Sequence, residues 1–356
     1  MLTADRAART LAGVRRFCAT ADAETDLLAG VAARVAPVVP YDTGVWFATD
    51  PATLLFTDAW VDGFDASACV PWFHHELAVD DVNLFRHLAG RRGAAVLSRT
   101  CTDPSGSPRW RELMRPLGLD PEVRFTADDP GGTWGAVELH REAGAPDFDE
   151  AEAALLAALG PVIAAGLRRV AVQRSALEGA GVDGPGLVLV APDGTVSGGT
   201  AAGESWLSLL ISTVPGSASS ALLSLVALAQ APRDRPRRLR VRAADGRWVT
   251  LHAAPLTRGD GSAIIVEPSG PSDVAEMLAR AHGLTPRERD VALGLARGES
   301  TDALAARLFL SPHTVRDHLK TVFRKVGVAS RAELVAHLFS AHYADRLFGV
   351  EPRRPG

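Results

Sequence analysis

Between Thr285 and Glu333 the sequence signals the start of a helix four times in one short stretch. Thr285-Pro286-Arg287-Glu288 offers a threonine N-cap, a proline at the first helical position and a glutamate at N3. That is a capping box, with proline where its missing N–H costs nothing. Gly298-Glu299-Ser300 ends this helix at glycine and supplies Ser300 as the next N-cap, Ser311-Pro312-His313-Thr314 repeats the serine–proline start, and Ser330-Arg331-Ala332-Glu333 reads as a second capping box. The spacing predicts helices over about 286–297, 301–308, 312–326 and 331–342. The second and third are joined by the short connection Phe309-Leu310-Ser311. Two helices across such a turn make a helix-turn-helix.

The third predicted helix has two faces. Val315, Leu319, Val322 and Val326 recur at helical spacing and form one apolar stripe that must be buried. Arg316, Lys320 and Arg324 form a basic stripe beside it, with His313 and Asp317 near its N-terminal half. The chain's only two lysines, Lys320 and Lys325, both fall here. Arginine or lysine can donate to guanine O6 and N7, and aspartate can accept from cytosine N4. Arg324, Lys325 and Arg331 are placed for phosphate contact or for the ends of their own helices. A basic stripe taken alone is more often a solvated helix face.

The run from Leu284 to Val335 resembles the LuxR/NarL-type DNA-binding domain over its full length. The matching landmarks are Leu284-Thr285-Pro286-Arg287-Glu288, Gly298, Ser300, Ser311, Thr314-Val315, His318-Leu319, Lys325, Gly327-Val328, Ser330-Arg331 and Glu333. The resemblance implies a four-helix domain that binds an inverted repeat of double-stranded DNA as a homodimer. It implies base contacts from Arg316, Asp317 and Lys320; His313, Thr314, Arg324, Lys325 and Arg331 are further candidates for the interface by their place on the helices. It also implies that the last helix contributes to dimerisation through Leu334, Leu338 and His337, and that RNA polymerase is a partner. One departure stands out. Where the family has Asn-x-Glu-Ile-Ala after the serine, this chain has Thr301-Asp302-Ala303-Leu304-Ala305. Losing the N3 glutamate from that cap costs on the order of 0.5–1 kcal/mol.

Charge distribution agrees with one DNA-facing module. The whole chain carries −4, but residues from His282 onward carry twelve lysines and arginines against eight acidic residues, so the remaining body is acidic. A length of 356 residues suits two or three domains. The expected fold class is multi-domain α+β: two α/β sensor domains, then an all-α helix-turn-helix domain. The first block, 1–175, places helices and strand pairs in an order that resembles a GAF-type sensor, ending in a long helix over about 147–178 that Pro161 should kink. The second, 180–270, resembles a PAS-type domain, with a hairpin through Asp245-Gly246. The third, 271–345, is helical, and 346–356 is a tail.

The front half carries no phosphorylatable receiver pattern, and no lysine precedes Lys320. There is no Walker A loop, no Gly-x-Ser-x-Gly and no metal quartet, so no catalytic role and no cofactor are expected. A sigma-like factor acting only with polymerase is the alternative, but it needs an aromatic, basic melting region where this chain alternates strands. His74, His75, Glu76, Asp80, Asp81 and His87 are ligand types without metal-site spacing and read as a polar helix surface, so no metal is expected. Cys69 and Cys101 lack a neighbouring charge that would activate a thiol. Trp46, Trp60, Trp72, Phe73 and Trp134 are candidates to line a pocket for a small ligand, or are simply core. Three cysteines without CxxC spacing, no leader-like apolar run and no apolar stretch long enough to span a bilayer point to a cytoplasmic chain with no membrane partner.

Overall fold

The computed structural model describes residues 2–64, 69–173, 184–210, 220–230, 237–244, 246–257 and 259–340. The connector around 175–180, the far end of the long helix, Asp245, the last residues of the final helix and the 346–356 tail lie outside these. The architecture is mixed: two antiparallel five-stranded sheets followed by a helical region.

The first sheet has the order β2-β1-β5-β4-β3. Its strands are β1 (Thr43–Thr49), β2 (Phe56–Asp62), β3 (Ala94–Val96), β4 (Leu119–Asp129) and β5 (Gly132–Glu142). Strand alternation splits it into two chemistries. Trp46, Val123, Phe125, Val137 and Leu139 point to one side, where α1 (Ala4–Cys18), α2 (Glu24–Val35) and the long α6 (Glu150–Gln173) cover them. Val45, Phe47 and Ala136 point to the other, beside Glu122, Arg124, Glu138 and His140. There α3 (Cys69–Ala78), α4 (Phe85–Leu88) and α5 (Leu97–Thr100) close over the sheet.

Strand β2 begins at Phe56, later than the apolar pattern from Thr53 suggests. Asp50 holds the intervening loop by accepting from the amide of Ala52 at 2.9 Å, and Leu54 turns the chain with φ 64. The apolar run over 94–98 is a strand only to Val96 and then becomes α5. Helix α6 runs on through Pro161. It is long and apolar enough to cross a membrane by composition, an 18-residue stretch within Glu150–Val172 having mean hydropathy 1.7. Here its apolar side is buried against β4 and β5 as a core helix.

The second sheet, β7-β6-β10-β9-β8, repeats the strand order of the first. Its strands are β6 (Gly186–Val190), β7 (Val196–Gly199), β8 (Arg238–Arg242), β9 (Trp248–Pro255) and β10 (Ser262–Pro268), with α7 (Ala201–Leu210) and α8 (Ser220–Gln230) between. Helix α8 is apolar around its circumference and is buried accordingly. It packs on α3 and β2 of the first unit and on β9 of the second, so the two share one apolar cluster.

A set of arginines ties these units to α9 (Pro271–Ala281). Arg240 on β8 is buried and meets fully buried Asp50 through both nitrogens, Nη2 to Oδ1 at 3.0 Å and Nε to Oδ2 at 3.1 Å. Its Nη1 reaches the Asp273 carbonyl at 3.2 Å and Glu276 at 3.3 Å. Arg280 donates to the carbonyls of Pro51 and Gly131, each at 3.2 Å. Arg168 on α6 donates to Ala281 O at 2.9 Å and pairs with Asp129 at 2.7 Å.

Removing one partner of a buried ion pair leaves the other charge uncompensated. Arg240→Ala is therefore expected to lower stability by about 3–5 kcal/mol. Thermal unfolding and limited proteolysis of the full chain will show this as an early separation of the second sheet; an unchanged unfolding temperature refutes it.

Candidate nucleic-acid interface

The helical region continues with α10 (Pro286–Ala296), α11 (Thr301–Leu308), α12 (Pro312–Val326) and α13 (Arg331–Val335), which ends in a wider turn over Ala336–Ser340. The capping signals act as the sequence indicates. Thr285 and Glu288 form the reciprocal box on α10, Ser300 accepts from Ala303 N at 3.1 Å, and Ser311 accepts from Thr314 N at 3.0 Å. The cap on α13 is only half a box: Ser330 accepts from Glu333 N, but Glu333 returns its bond to the amide of Ala329, one residue before the cap. The α11–α12 turn places Phe309 in the left-handed region with φ 55, although it is not glycine, and leaves its ring 95% exposed.

Val315, Leu319, Val322 and Val326 are all buried, packed with Val291, Leu295, Leu304, Leu308, Leu334 and Leu338. Burying such side chains stabilises the unit by roughly 1.5–3 kcal/mol each. That stripe fixes which face of α12 looks outward. His313, Arg316, Asp317, Lys320 and Arg324 are exposed on it, and Thr314 is half-buried against the cap, its hydroxyl 2.9 Å from Ser311 Oγ. Asp317 sits between His313 at 3.1 Å and Lys320 at 3.6 Å. Contacts this exposed are weak and leave all three groups available. Arg331 lies at the start of α13 and donates to Thr301 Oγ1 at 3.0 Å, linking it to α11.

Lys325 is placed differently. Its ammonium reaches Glu288 at 2.6 Å and the Gly283 carbonyl at 3.0 Å. Burial alone would raise the Glu288 carboxyl; bonds from Lys325 and the Thr285 amide more than offset this and hold it below the usual carboxylate range. The side chain thus fastens the C-terminal end of α12 to the N-terminal cap of α10. His337 pairs with His282, Nε2 to Nε2 at 2.9 Å. Burial and the neighbouring ring push His282 down to about 4.

Residues 282–338 match the family model described as bacterial regulatory proteins, luxR family. This segment is a LuxR-family helix-turn-helix domain. An HTH-type transcriptional regulator of Mycobacterium bovis is 52% identical over 52 residues, covering 15% of this chain and 6% of that protein. The transcriptional regulatory protein UhpA of Escherichia coli is 44% identical over 69 residues, 19% of this chain and 35% of UhpA. NarL of Mycobacterium tuberculosis is 39% identical over 62 residues, 17% of this chain and 29% of NarL. The chain thus covers about a third or less of the length of each, and the likeness lies in the DNA-binding segment. Among solved structures, a GAF domain from Coxiella burnetii covers 48% of this chain and 98% of its own at 14% identity and TM-score 0.34. Escherichia coli SdiA covers 94% and 98% at 11% and 0.36. At such scores neither likeness supports an assignment.

The five aromatic residues read as candidate pocket lining do not gather at one site. Trp46 and Trp134 are buried on the α6 side of the first sheet, and Trp60 packs partly against that same cluster. Trp72 and Phe73 lie on the opposite side, in two different clusters. Alternation along β1 turns Trp46 away from Phe47, which faces Phe73. Of the polar residues around α3, Glu76 and Asp81 turn inward to arginines, His75 is buried, and Asp80 and His87 stay exposed. Cys101 is half-buried, a free thiol whose Sγ lies 2.9 Å from Asp103 O.

What sequence reading missed is the charged inner face of β4 and β5. Glu122-Val123-Arg124 and Glu138-Leu139-His140 alternate charge with apolar residues in strands buried on both sides. Arg109 grips Glu122 with two bonds of 2.9 Å, and Arg124 bridges Glu76 at 2.6 Å and Glu138 at 2.9 Å. Burial raises the Glu122 carboxyl, but Arg109 and Arg124 overcome it and hold it at about 2. Burial pushes Glu138 up to about 7 and His140 down to about 4. The period-two alternation was the available signal.

Two outcomes are expected. Lys325→Met should lower the stability of the helical region by about 1–3 kcal/mol, since Glu288 is left buried with an unmet charge; chemical denaturation checks it. The depressed His282 makes the folded state bind fewer protons than the unfolded chain between pH 6.5 and about 4. Its contribution is full above pH 6.5 and is lost as pH falls through that window. A His282→Leu/His337→Leu variant should flatten this part of the stability profile measured by thermal unfolding.

Proposed function

We propose that the chain is a sequence-specific DNA-binding transcriptional regulator that acts in the cytoplasm as a homodimer on an inverted-repeat operator and contacts RNA polymerase. Its N-terminal units, a GAF-like domain over 1–175 and a PAS-like domain over 180–270, sense a small ligand or partner. The helix-turn-helix domain over 271–345 reads DNA. The observation that carries this reading is the outward face of α12, where Arg316 and Arg324 engage no partner among the described residues and Lys320 is 80% exposed.

The N-terminal half of α12 supports base readout. Arg316 and Lys320 are donors suited to guanine, and Asp317 is an acceptor held between His313 and Lys320. Arg324 and Arg331 suit phosphates that set the register. Lys325, fastened to Glu288, supports a role in holding α12 at its angle rather than a direct phosphate contact. The contacts of α9 with the first sheet support a path for the signal: a change at Pro51 or Gly131 moves carbonyls that Arg280 holds, and Arg280 lies on the helix that leads into α10. No catalytic step is part of this reading.

Arg316→Ala and Lys320→Ala are each expected to weaken binding of the full chain to its selected site by about 1–3 kcal/mol and to relax specificity at one base pair. Arg324→Ala should weaken all sequences alike and lower the salt dependence. Selection from a random DNA library followed by fluorescence anisotropy at fixed salt measures this, and full affinity in both of the first two variants overturns the interface.

A further inference from the structure

The inner face of the first sheet holds a group of side chains whose ion pairs leave part of their polar capacity open and that DNA binding does not use. Glu122 faces His140 across the β4–β5 pairing, and Glu138 lies on the same face two residues earlier along β5. One ligand atom from each of the three residues falls within 4.8 Å of the others, and all three residues are fully buried. Neither ring nitrogen of His140 has a hydrogen-bond partner among the described residues, and the same holds for Glu138 Oε1. Buried polar groups are normally satisfied, so an imidazole and a carboxylate oxygen left open at one point mark a place for something else.

Charge defines what that is. With Glu138 ionised, four carboxylates, from Glu76, Asp81, Glu122 and Glu138, meet two guanidiniums, from Arg109 and Arg124. The cluster is two negative charges in excess, and uncompensated charge is strongly disfavoured in an interior. A cation of charge two balances it. Space excludes an organic molecule of ordinary size. The adjoining depression, lined by aromatic rings with Glu76, Arg124 and Glu138, has no room for even a water molecule, against the roughly 300–1,000 Å³ of small-molecule sites.

We propose that Glu122, Glu138 and His140 bind a divalent first-row transition-metal cation of the Zn2+ class. One imidazole nitrogen with two carboxylate oxygens is the mixed donor set such ions take, and three protein ligands leave a position open. The surroundings suit the task. Arg109 orients Glu122, Arg124 orients Glu138, and the rings of Phe64 and Trp72 stand edge-on to His140 at 5.7 and 5.4 Å. Outer partners of this kind fix ligand orientation.

The test uses the full chain, stripped with chelator and dialysed against buffered Zn2+, with metal counted by mass spectrometry. One equivalent per chain is expected, held at least tenfold more weakly by Glu138→Gln and by His140→Gln. His282→Gln, which alters the separate histidine pair, should bind as the unaltered chain does. The unaltered chain loaded with Co2+ should show a visible absorption band distinct from aqueous Co2+. No retained Zn2+, retention undiminished in His140→Gln, or a Co2+ spectrum identical to the aqueous ion would each overturn the site. The readout is metal held by the protein, so it stands or falls apart from DNA binding.

Discussion

Arg240 is the contact on which the arrangement of the whole chain turns. It leaves β8 of the second sheet, meets Asp50 in the β1–β2 loop of the first, and touches Asp273 O and Glu276 on α9. Arg240 and Asp50 meet out of water, while Glu276 is partly exposed. A guanidinium can do it because its donors form a planar fork that serves several acceptors at once. A lysine at the same place would satisfy fewer of them. The cost of burying the pair is large, and such pairs contribute more to specifying one geometry than to raw stability. Here the geometry specified is the position of α9, the helix that enters the LuxR-family domain. Arg280 and Arg168 repeat the device from α9 and α6, again against backbone carbonyls.

The two sheets share a strand order but not a chemistry. In the second, the inward residues Leu239, Val241, Val249, Leu251, Ile264 and Val266 close on α8 and leave an apolar core. In the first, β4 and β5 turn Glu122, Arg124, Glu138 and His140 into the interior, on the side away from α6. A fold that needed only stability would place aliphatic residues there, since replacing buried ion pairs with apolar side chains is often neutral or stabilising. The charged face is therefore where the first unit departs from the rules of core construction. Such departures concentrate at sites with a task.

Helices with caps were the most readable part of the sequence. The starts at Pro286, Thr301, Pro312 and Arg331 all coincide with a threonine or serine cap, because the cap chemistry is local and needs no tertiary partner. The apolar stripe of α12 was readable for the same reason. The interior of the first sheet was not. Trp46 and Trp134 attracted notice as large aromatics, yet strand direction, which depends on register, sent them into the helix-covered core. The Glu122–His140 pairing is a cross-strand contact, and only the β4–β5 register brings it together. The apolar run from Thr53 does not begin β2, because Leu54 adopts a positive φ that no local rule favours for leucine.

The two lysines of this chain show how the same charge on one helix acquires two uses. Lys320 is 80% exposed and touches only a solvated aspartate. Lys325 lies five residues further along α12, where the helix closes on α10, and its ammonium finds Glu288 and a carbonyl waiting. Glu288 is already committed to the Thr285 cap, so the lysine joins one helix end to another through a single carboxylate. Neither position can be exchanged for the other. A cation tied to a buried acid contributes little to the field that draws DNA, and a cation standing free on the surface does nothing to set the helix angle. Reading the outward face of α12 by its net charge would count both lysines alike. Reading it by partners separates Lys320, exposed on the outward face, from Lys325, part of the frame that holds the helix.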